Sequence, residues 1–241
     1  MNDERKQCVI MATAMSQAER YGEMLSYMKR AVEINPVLSN DERQILVNAY
    51  KFTISPKRRG IRNIFRSEMD DSTANLSEQT QAEVKSIKKQ IITELVSLCE
   101  EFIDLINSKL LPVNTDPDSI VFYNKNKGDY YRYICEATDG NERIVATKRG
   151  MESYEVALEK SKAALQQYTP TALGLMLNYT VFLYEICDKK DVAVKMARET
   201  VSLVSPIVEQ NSASSLPEAK TILQLLNNNI SLWQQVEQIR K

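Results

Sequence analysis

The segment GDYYRYICEA surrounds one arginine, Arg132, with three tyrosines. In a helix that turns about 100° per residue, Arg132 shares a face with Lys125, Asp129 and Glu136, and Tyr133 lies beside it. A guanidinium and an ammonium on one face suit an oxyanion, which they can bind through charge-assisted hydrogen bonds. The face can equally be a solvated ladder in which Arg132 pairs with Asp129 and Glu136. Taken alone, this helix favours the ladder and leaves the anion site open.

The opposite stripe of the same helix is apolar. Tyr123, Tyr130, Ile134 and Ala137 follow one another at spacings of seven, four and three residues, which is typical of a buried helix face. The pattern therefore predicts that Tyr130 is a core residue while Arg132 is not.

A second basic face comes earlier in the chain. Lys51, Ser55, Arg58 and Arg62 recur at spacings of four, three and four residues, as on one side of a helix. An exposed basic face explains this pattern, and the run at 57–59 resembles a weak nucleic-acid patch. Because the formal net charge is −1 and few aromatic residues lie among these cations, no nucleic-acid partner is predicted.

Two later helices each carry one asparagine on an apolar or mixed stripe. The residues of these stripes are Leu177, Asn178, Val181 and Glu185 in one helix, and Ile222, Leu225, Asn229 and Trp233 in the other. An amide has a donor and an acceptor, so it can bind the backbone of an extended peptide. Either asparagine can also be satisfied within the fold, and the spacing does not decide between the two.

Composition indicates an all-α protein without catalytic machinery. Charged residues make up 26% of the 241, and only six glycines and seven prolines are present. The absence of histidine removes the commonest general base and transition-metal ligand. The four cysteines are isolated, as expected for buried thiols in a reducing compartment. We therefore expect no enzyme activity, no metal and no cofactor.

Capping chemistry divides the chain into about nine antiparallel helices. Two helices precede Pro36, and the later helix starts and breaks are Ser39-Asn40-Asp41-Glu42, Ser77-Glu78, the break bracketed by Pro112 and Pro117, Asp139-Gly140-Asn141, Thr169-Pro170 and Leu216-Pro217-Glu218. The polar stretches 70–79 and 209–216 are predicted loops. No secretory signal or membrane-spanning run is visible, which predicts no membrane association and a soluble cytoplasmic protein, with the nucleus as a second location.

Five motifs together resemble the 14-3-3 family, in the family's order and at similar separations. They are QAERYGEM at 17–24, NAYK at 48–51, VFYNKNK with the GDYYRY that follows it, LGLMLNYTVFLYEI at 173–186 and QLLNNNISLW at 224–233. The resemblance implies one all-α domain over residues 1–241, with nine antiparallel helices forming a concave groove. Its N-terminal helices, at about 1–110, would carry the dimer interface and part of the groove, and those at 117–238 would complete the groove.

The resemblance also implies roles for individual residues. Phosphate would be bound by Lys51, Arg58, Arg132 and Tyr133. The peptide would be bound by Lys125, Leu177, Asn178, Val181, Glu185, Ile222, Leu225, Asn229 and Trp233. The dimer interface would include Ala14, Ala18, Arg20, Glu23, Gly60, Gln90 and Glu94.

One departure from the family pattern concerns an ion pair at the dimer interface. Arg20 and Glu94 match a family ion pair between subunits, whereas the pair represented by Glu23 and Gln90 has lost its cation. An exposed ion pair contributes only about 0.2 to 1 kcal/mol, so we still expect a homodimer, and heterodimers are an alternative.

The function implied by the resemblance is that of an adaptor which binds phosphoserine or phosphothreonine in client proteins and regulates them in signalling. A phosphoryl group carries about 1.5 to 2 negative charges and three acceptor oxygens. Two guanidiniums, an ammonium and a phenol can satisfy such a group without any catalytic base. The alternative is a helical scaffold of the same fold that binds its partners without phosphate.

Overall fold

A computed structural model of the protein describes residues 2–69, 77–210 and 216–239. Within these ranges the chain forms nine α-helices and one π-helical turn, and no strand, which confirms the all-α prediction. The helices are α1 (Asn2–Gln17), α2 (Tyr21–Ile34), α3 (Asn40–Met69), α4 (Glu78–Leu105), α5 (Pro117–Ala137), α6 (Gly140–Ala164), α7 (Pro170–Glu185), α8 (Lys190–Gln210) and α9 (Leu216–Ile239), with the π turn at Ile106–Leu110 after α4.

The predicted caps mark the helix starts. Before α3, the Ser39 hydroxyl accepts from the backbone N–H of Glu42 at 3.2 Å, and the Glu42 carboxylate accepts from the backbone N–H of Ser39 at 2.8 Å. This reciprocal arrangement is a capping box, which satisfies two donors that the helix itself cannot. Ser77 and Thr169 cap α4 and α7 in the simpler way. The predicted loops lie mostly outside the described residues, at 70–76 and 211–215.

Two predictions from composition can be compared with the structure. All four cysteines are free thiols; Cys8, Cys99 and Cys135 are buried, as expected, and Cys187 is half-buried. Among the helices in the described ranges, none combines the length and the apolar character that crossing a bilayer requires.

The chain divides into two compact units, Met1–Asn114 and Thr115–Lys241. In the first unit α1 packs on α2, α2 on α3, and α3 on α4. Its core includes Tyr50, whose ring stacks on Phe102 with centroids 4.2 Å apart and whose hydroxyl donates to Glu101 at 2.7 Å. This packing anchors α3, which carries the basic face, against α4.

In the second unit α5 packs extensively on α6, and α7 packs on α5, α8 and α9. Its core centres on Tyr154, whose ring lies 5.2 Å from the rings of both Tyr179 and Phe182. The backbone of α5 approaches Tyr154 closely, because a Cβ built on Gly128 would lie 2.7 Å from the Tyr154 ring. The predicted apolar stripe of α5 is buried as expected, with Tyr130 only 2% exposed.

We predict that Gly128→Ala destabilises the protein. The new methyl group would force the Tyr154 ring to move, and overpacking of this kind costs about 1 to 3 kcal/mol. Urea denaturation followed by circular dichroism measures the change. Gly22→Ala is the matched control, since nothing lies within 4 Å of its added Cβ and alanine favours a helix. An equal or higher unfolding free energy for Gly128→Ala would contradict the packing argument.

Candidate functional site

The polar face of α5 converges on one buried carboxylate, Asp129, which is 4% exposed. The Lys125 ammonium lies 2.9 Å from Asp129 Oδ2, and the Tyr154 hydroxyl donates to Oδ1 at 2.6 Å. The Asn178 amide donates to both oxygens, at 2.9 and 2.8 Å. Asp129 therefore joins three helices, because Lys125 lies on α5, Tyr154 on α6 and Asn178 on α7.

Arg132 lies on the same face and is only 9% exposed. Its Nη1 donates to Glu136 Oε1 at 3.0 Å, and its Nη2 lies 3.6 Å from Asp129 Oδ1. The guanidinium carbon lies 4.8 Å from the centroid of the Tyr133 ring. The predicted pairing with Asp129 and Glu136 is confirmed, but the expectation of a solvated ladder was wrong, because neighbouring helices cover this face.

The Nε–H of Arg132 is buried, and it has no hydrogen-bond acceptor among the described residues. A buried donor without an acceptor costs about 1 to 3 kcal/mol. Most buried polar atoms in native proteins have a partner, so this donor is an exception within the part of the chain that the structure describes.

Burial and charge act in opposite directions on the ionisable groups of the cluster. Burial alone would raise the pKa of Asp129. The charges of Lys125 and Arg132 and the hydrogen bonds from Tyr154 and Lys125 lower the pKa by more than burial raises it, so that it lies below its ordinary value. Burial disfavours the charged form of Arg132, yet the surrounding acidic groups raise its pKa well above the ordinary value. Both side chains are therefore ionised near neutral pH.

The cluster as a whole carries no net charge. Lys125 and Arg132 supply two positive charges, and Asp129 and Glu136 supply two negative ones. A neutral cluster offers hydrogen-bond donors to a dianion but little net attraction. The cluster alone therefore lacks net positive charge; the other candidates for phosphate binding that the sequence predicts are Lys51 and Arg58.

Those candidates lie on α3 in the first unit. Lys51 is exposed and Arg58 is half-buried, so the ammonium of Lys51 is accessible to a ligand. Their spacing of seven residues places them on one helix face, as predicted. The remaining basic residue of that face, Arg62, is also exposed.

The predicted peptide-binding residues lie on α7 and α9, which pack against each other. Leu177, Val181 and Ile222 are half-buried against the core of the second unit, and Leu225 is 45% exposed. Trp233 is buried and stacks on Tyr184, with centroids 4.4 Å apart and ring planes inclined by 9°. Asn229 is half-buried and Glu185 is exposed.

Asn178 has a defined orientation because both of its contacts use the amide nitrogen. With Nδ2 donating to Asp129, the carbonyl oxygen Oδ1 is left without a partner among the described residues. It is therefore available to accept a backbone N–H from a peptide.

The predicted interface residues belong to α1, α2, α3, α4 and the α1–α2 connection. Ala14, Ala18, Arg20, Glu23 and Gln90 are exposed, whereas Gly60 and Glu94 are half-buried. Within the protomer, Arg20 pairs with Glu23 at 2.5 Å. Glu94 pairs with Lys57 and accepts from Gln90 at 3.1 Å.

Sequence reasoning missed Tyr154 and several exposed apolar residues of the first unit. Tyr154 lies 25 residues from Asp129, and no helical spacing connects them. Ile10, Met11, Phe65 and Ile87 are between 38% and 57% exposed, on α1, α3 and α4. Large apolar side chains on helices predicted to dimerise would have been a usable signal.

Comparison with known proteins agrees with the motifs. The 14-3-3 protein family matches residues 11–234. The chain belongs to the 14-3-3 family. It is 34% identical over 233 residues to 14-3-3-like protein 2 of Caenorhabditis elegans, and 35% identical over 233 residues to 14-3-3 protein zeta of Bombyx mori; each alignment covers 97% of this chain and 93% of the relative.

One relative is named for its role in the cell, the checkpoint signal transducer rad25 of Schizosaccharomyces pombe. It is 35% identical over 233 residues, which cover 97% of this chain and 86% of the relative. The chain therefore belongs to a family of signalling adaptors.

We predict that Asp129→Asn lowers the free energy of unfolding by about 3 to 5 kcal/mol at pH 7, because it leaves the buried Arg132 and the half-buried Lys125 without their shared carboxylate. The folded-state pKa of Asp129 is lowered, so its contribution is complete above the unfolded pKa of about 3.9 and disappears as pH falls through the folded pKa. The difference between the two proteins should therefore shrink in acid.

Urea denaturation at pH 7 and in acid, followed through the fluorescence of the single tryptophan Trp233, measures this effect. Glu159→Gln, on the exposed surface of α6, is the control and should change little. If the difference in unfolding free energy between the wild type and Asp129→Asn stayed the same at pH 7 and in acid, the assigned role of the carboxylate would be contradicted.

Proposed function

We propose that this 14-3-3 protein is a phosphoserine- and phosphothreonine-binding adaptor that regulates client proteins in signalling, and that it has no enzyme activity. The observation that carries the proposal is the fixed position of the Arg132 guanidinium, which forms ion pairs with Asp129 and Glu136. Because these pairs hold the side chain, its donors are oriented before any ligand arrives. Preorganised donors bind an anion without a further ordering cost.

The phosphate-binding residues in this proposal are Lys51, Arg58, Arg132 and Tyr133. Arg132 and Tyr133 supply oriented donors from a neutral cluster, and Lys51 and Arg58 supply the net positive charge that the cluster lacks. Asp129 and Glu136 act as positioning residues for the guanidinium. This division explains why carboxylates and a phosphate can share one arginine.

The peptide backbone, in the proposal, is bound by Asn178 and Asn229. The orientation of Asn178 supports this role, because its free carbonyl oxygen is an acceptor for a peptide N–H. Side chains that flank the phosphoresidue would contact the apolar wall of α7 and α9. That wall and the remaining peptide-binding residues are Lys125, Leu177, Val181, Glu185, Ile222, Leu225 and Trp233.

We predict that Lys51→Glu weakens binding of a phosphoserine peptide by about a hundredfold or more. The substitution removes a charge-assisted hydrogen bond and places a like charge near the dianion. Because Lys51 is exposed, the fold should be unchanged. Fluorescence anisotropy with a labelled peptide selected from a phosphoserine library, and with its unphosphorylated form, measures the effect.

The control for this experiment is Lys162→Glu, which makes the same charge reversal at an exposed position of α6. It should bind the peptide as the wild type does. If the wild type bound the phosphorylated and unphosphorylated peptides equally, the protein would be a phosphate-independent scaffold and the proposal would be wrong.

The proposal also includes a homodimer in the cytoplasm, formed through Ala14, Ala18, Arg20, Glu23, Gly60, Gln90 and Glu94. The exposed apolar residues Ile10, Met11, Phe65 and Ile87 support such an interface, since burying them would be favourable. A dimer can bind two phosphorylated sites of one client. Binding of the second site is then intramolecular, which raises the overall affinity.

We predict that light scattering at micromolar protein gives about 55 kDa, twice the chain mass of 27.5 kDa. Replacing Ile10 and Ile87 together with aspartate should give the monomer mass, because charges would be buried in an apolar contact. Replacing the exposed Val192 of α8 with aspartate should leave the mass unchanged. A monomer mass for the wild type would exclude the dimer.

A further inference from the structure

A polar cavity lies in the groove where α5 packs on α6, away from the Asp129 cluster. Its volume is about 270 Å³, and it is lined by Asn124, Lys127, Tyr131, Arg149, Glu152, Ser153 and Val156. Lys127 and Arg132 are five residues apart on α5, which turns them about 140° from each other around the helix axis. The cavity therefore faces another side of α5 from the cluster that contains Arg132.

Two cations line this cavity without partners. Lys127 is half-buried, and neither its ammonium nor the Arg149 guanidinium forms an ion pair or hydrogen bond with any residue that the structure describes. Burial lowers the pKa of Lys127, which is the effect of desolvating an unpaired ammonium. A half-buried cation is stabilised by a counter-charge, and none of the described residues supplies one to Lys127, so an anion at this cavity would be favourable. Arg149 is exposed and adds a second positive charge beside it.

The remaining lining residues provide hydrogen bonding. Asn124 is 5% exposed and donates one amide hydrogen to the backbone oxygen of Ile120 at 2.9 Å, which leaves its second hydrogen available. Ser153 uses its hydroxyl hydrogen on the backbone oxygen of Arg149 at 2.8 Å. The cavity thus combines two charged donors with a buried neutral donor.

The size and the charge of the cavity restrict the ligand. A water molecule takes roughly 30 Å³ in the liquid, so the cavity has room for a phosphate-sized anion with part of its hydration shell. Glu152 adds a negative charge to the lining, which opposes a long polyanion such as a nucleic-acid strand. A compact anion with several oxygens, such as a phosphoryl group, therefore suits the two cations and the amide.

We propose that Asn124, Lys127 and Arg149 form a second anion site, separate from the phosphopeptide site, which binds the phosphoryl group of a small molecule. The site belongs to one unit of the chain, so it does not depend on dimerisation or on Lys51 and Arg58. Glu152 sets its affinity by offsetting part of the positive charge.

The test follows lysine side-chain NMR signals in protein labelled at lysine, with Lys127→Met used to assign the Lys127 signal. Inorganic phosphate is the probe, added at constant ionic strength against sodium chloride. We expect the Lys127 signal to shift and reach saturation, while the signal of the exposed Lys162 does not. The signals of Lys51 and Lys125 report separately on the phosphopeptide site, so failure of one site is distinguishable from failure of the other.

Two substitutions of exposed residues test the lining. Arg149→Met should raise the half-saturating phosphate concentration about tenfold through loss of a charged donor, and Glu152→Gln should lower it several-fold. Acetate, which is a monoanion, should bind at least about tenfold more weakly than phosphate.

Three results would overturn the proposal. These are a Lys127 signal that follows ionic strength as Lys162 does, half-saturation that is insensitive to both substitutions, and equal binding of acetate and phosphate.

Discussion

The second unit depends on the buried carboxylate of Asp129. It accepts hydrogen bonds from Tyr154 of α6 and Asn178 of α7, and it pairs with Lys125 of its own helix. A carboxylate without partners could not remain ionised in this environment, since isolated buried charges are strongly disfavoured. The partners are therefore a condition for the charge, and the hydrogen bonds to it link α5, α6 and α7.

Asp129 also organises the proposed ligand site. It sets the orientation of Asn178, so that the amide carbonyl is left for a peptide, and with Glu136 it holds Arg132 in one position. The same carboxylates cancel the charge of Lys125 and Arg132. The cluster by itself therefore offers a phosphoryl dianion hydrogen-bond donors but no net positive charge.

Helix boundaries were predictable because their causes are local. The capping box of Ser39 and Glu42 involves residues three apart, and Thr169 with Pro170 specifies the start of α7 in the same local way. The burial of Tyr130 followed from helical periodicity. The covered environment of Arg132 did not, because periodicity separates polar from apolar faces and does not reveal which polar face another helix covers.

The sequence by itself determined the all-α class, the helix starts, the apolar stripes and the order of motifs that relates this chain to the 14-3-3 family. Each of these is encoded in residue types at short spacings, which a single helix can express. Only the tertiary structure showed that Asp129 meets Tyr154 and Asn178, that the Nε–H of Arg132 is buried without an acceptor, and that Lys127 and Arg149 line one cavity. These features arise from contacts between helices, and no spacing along one helix specifies which residues of the next helix it will meet.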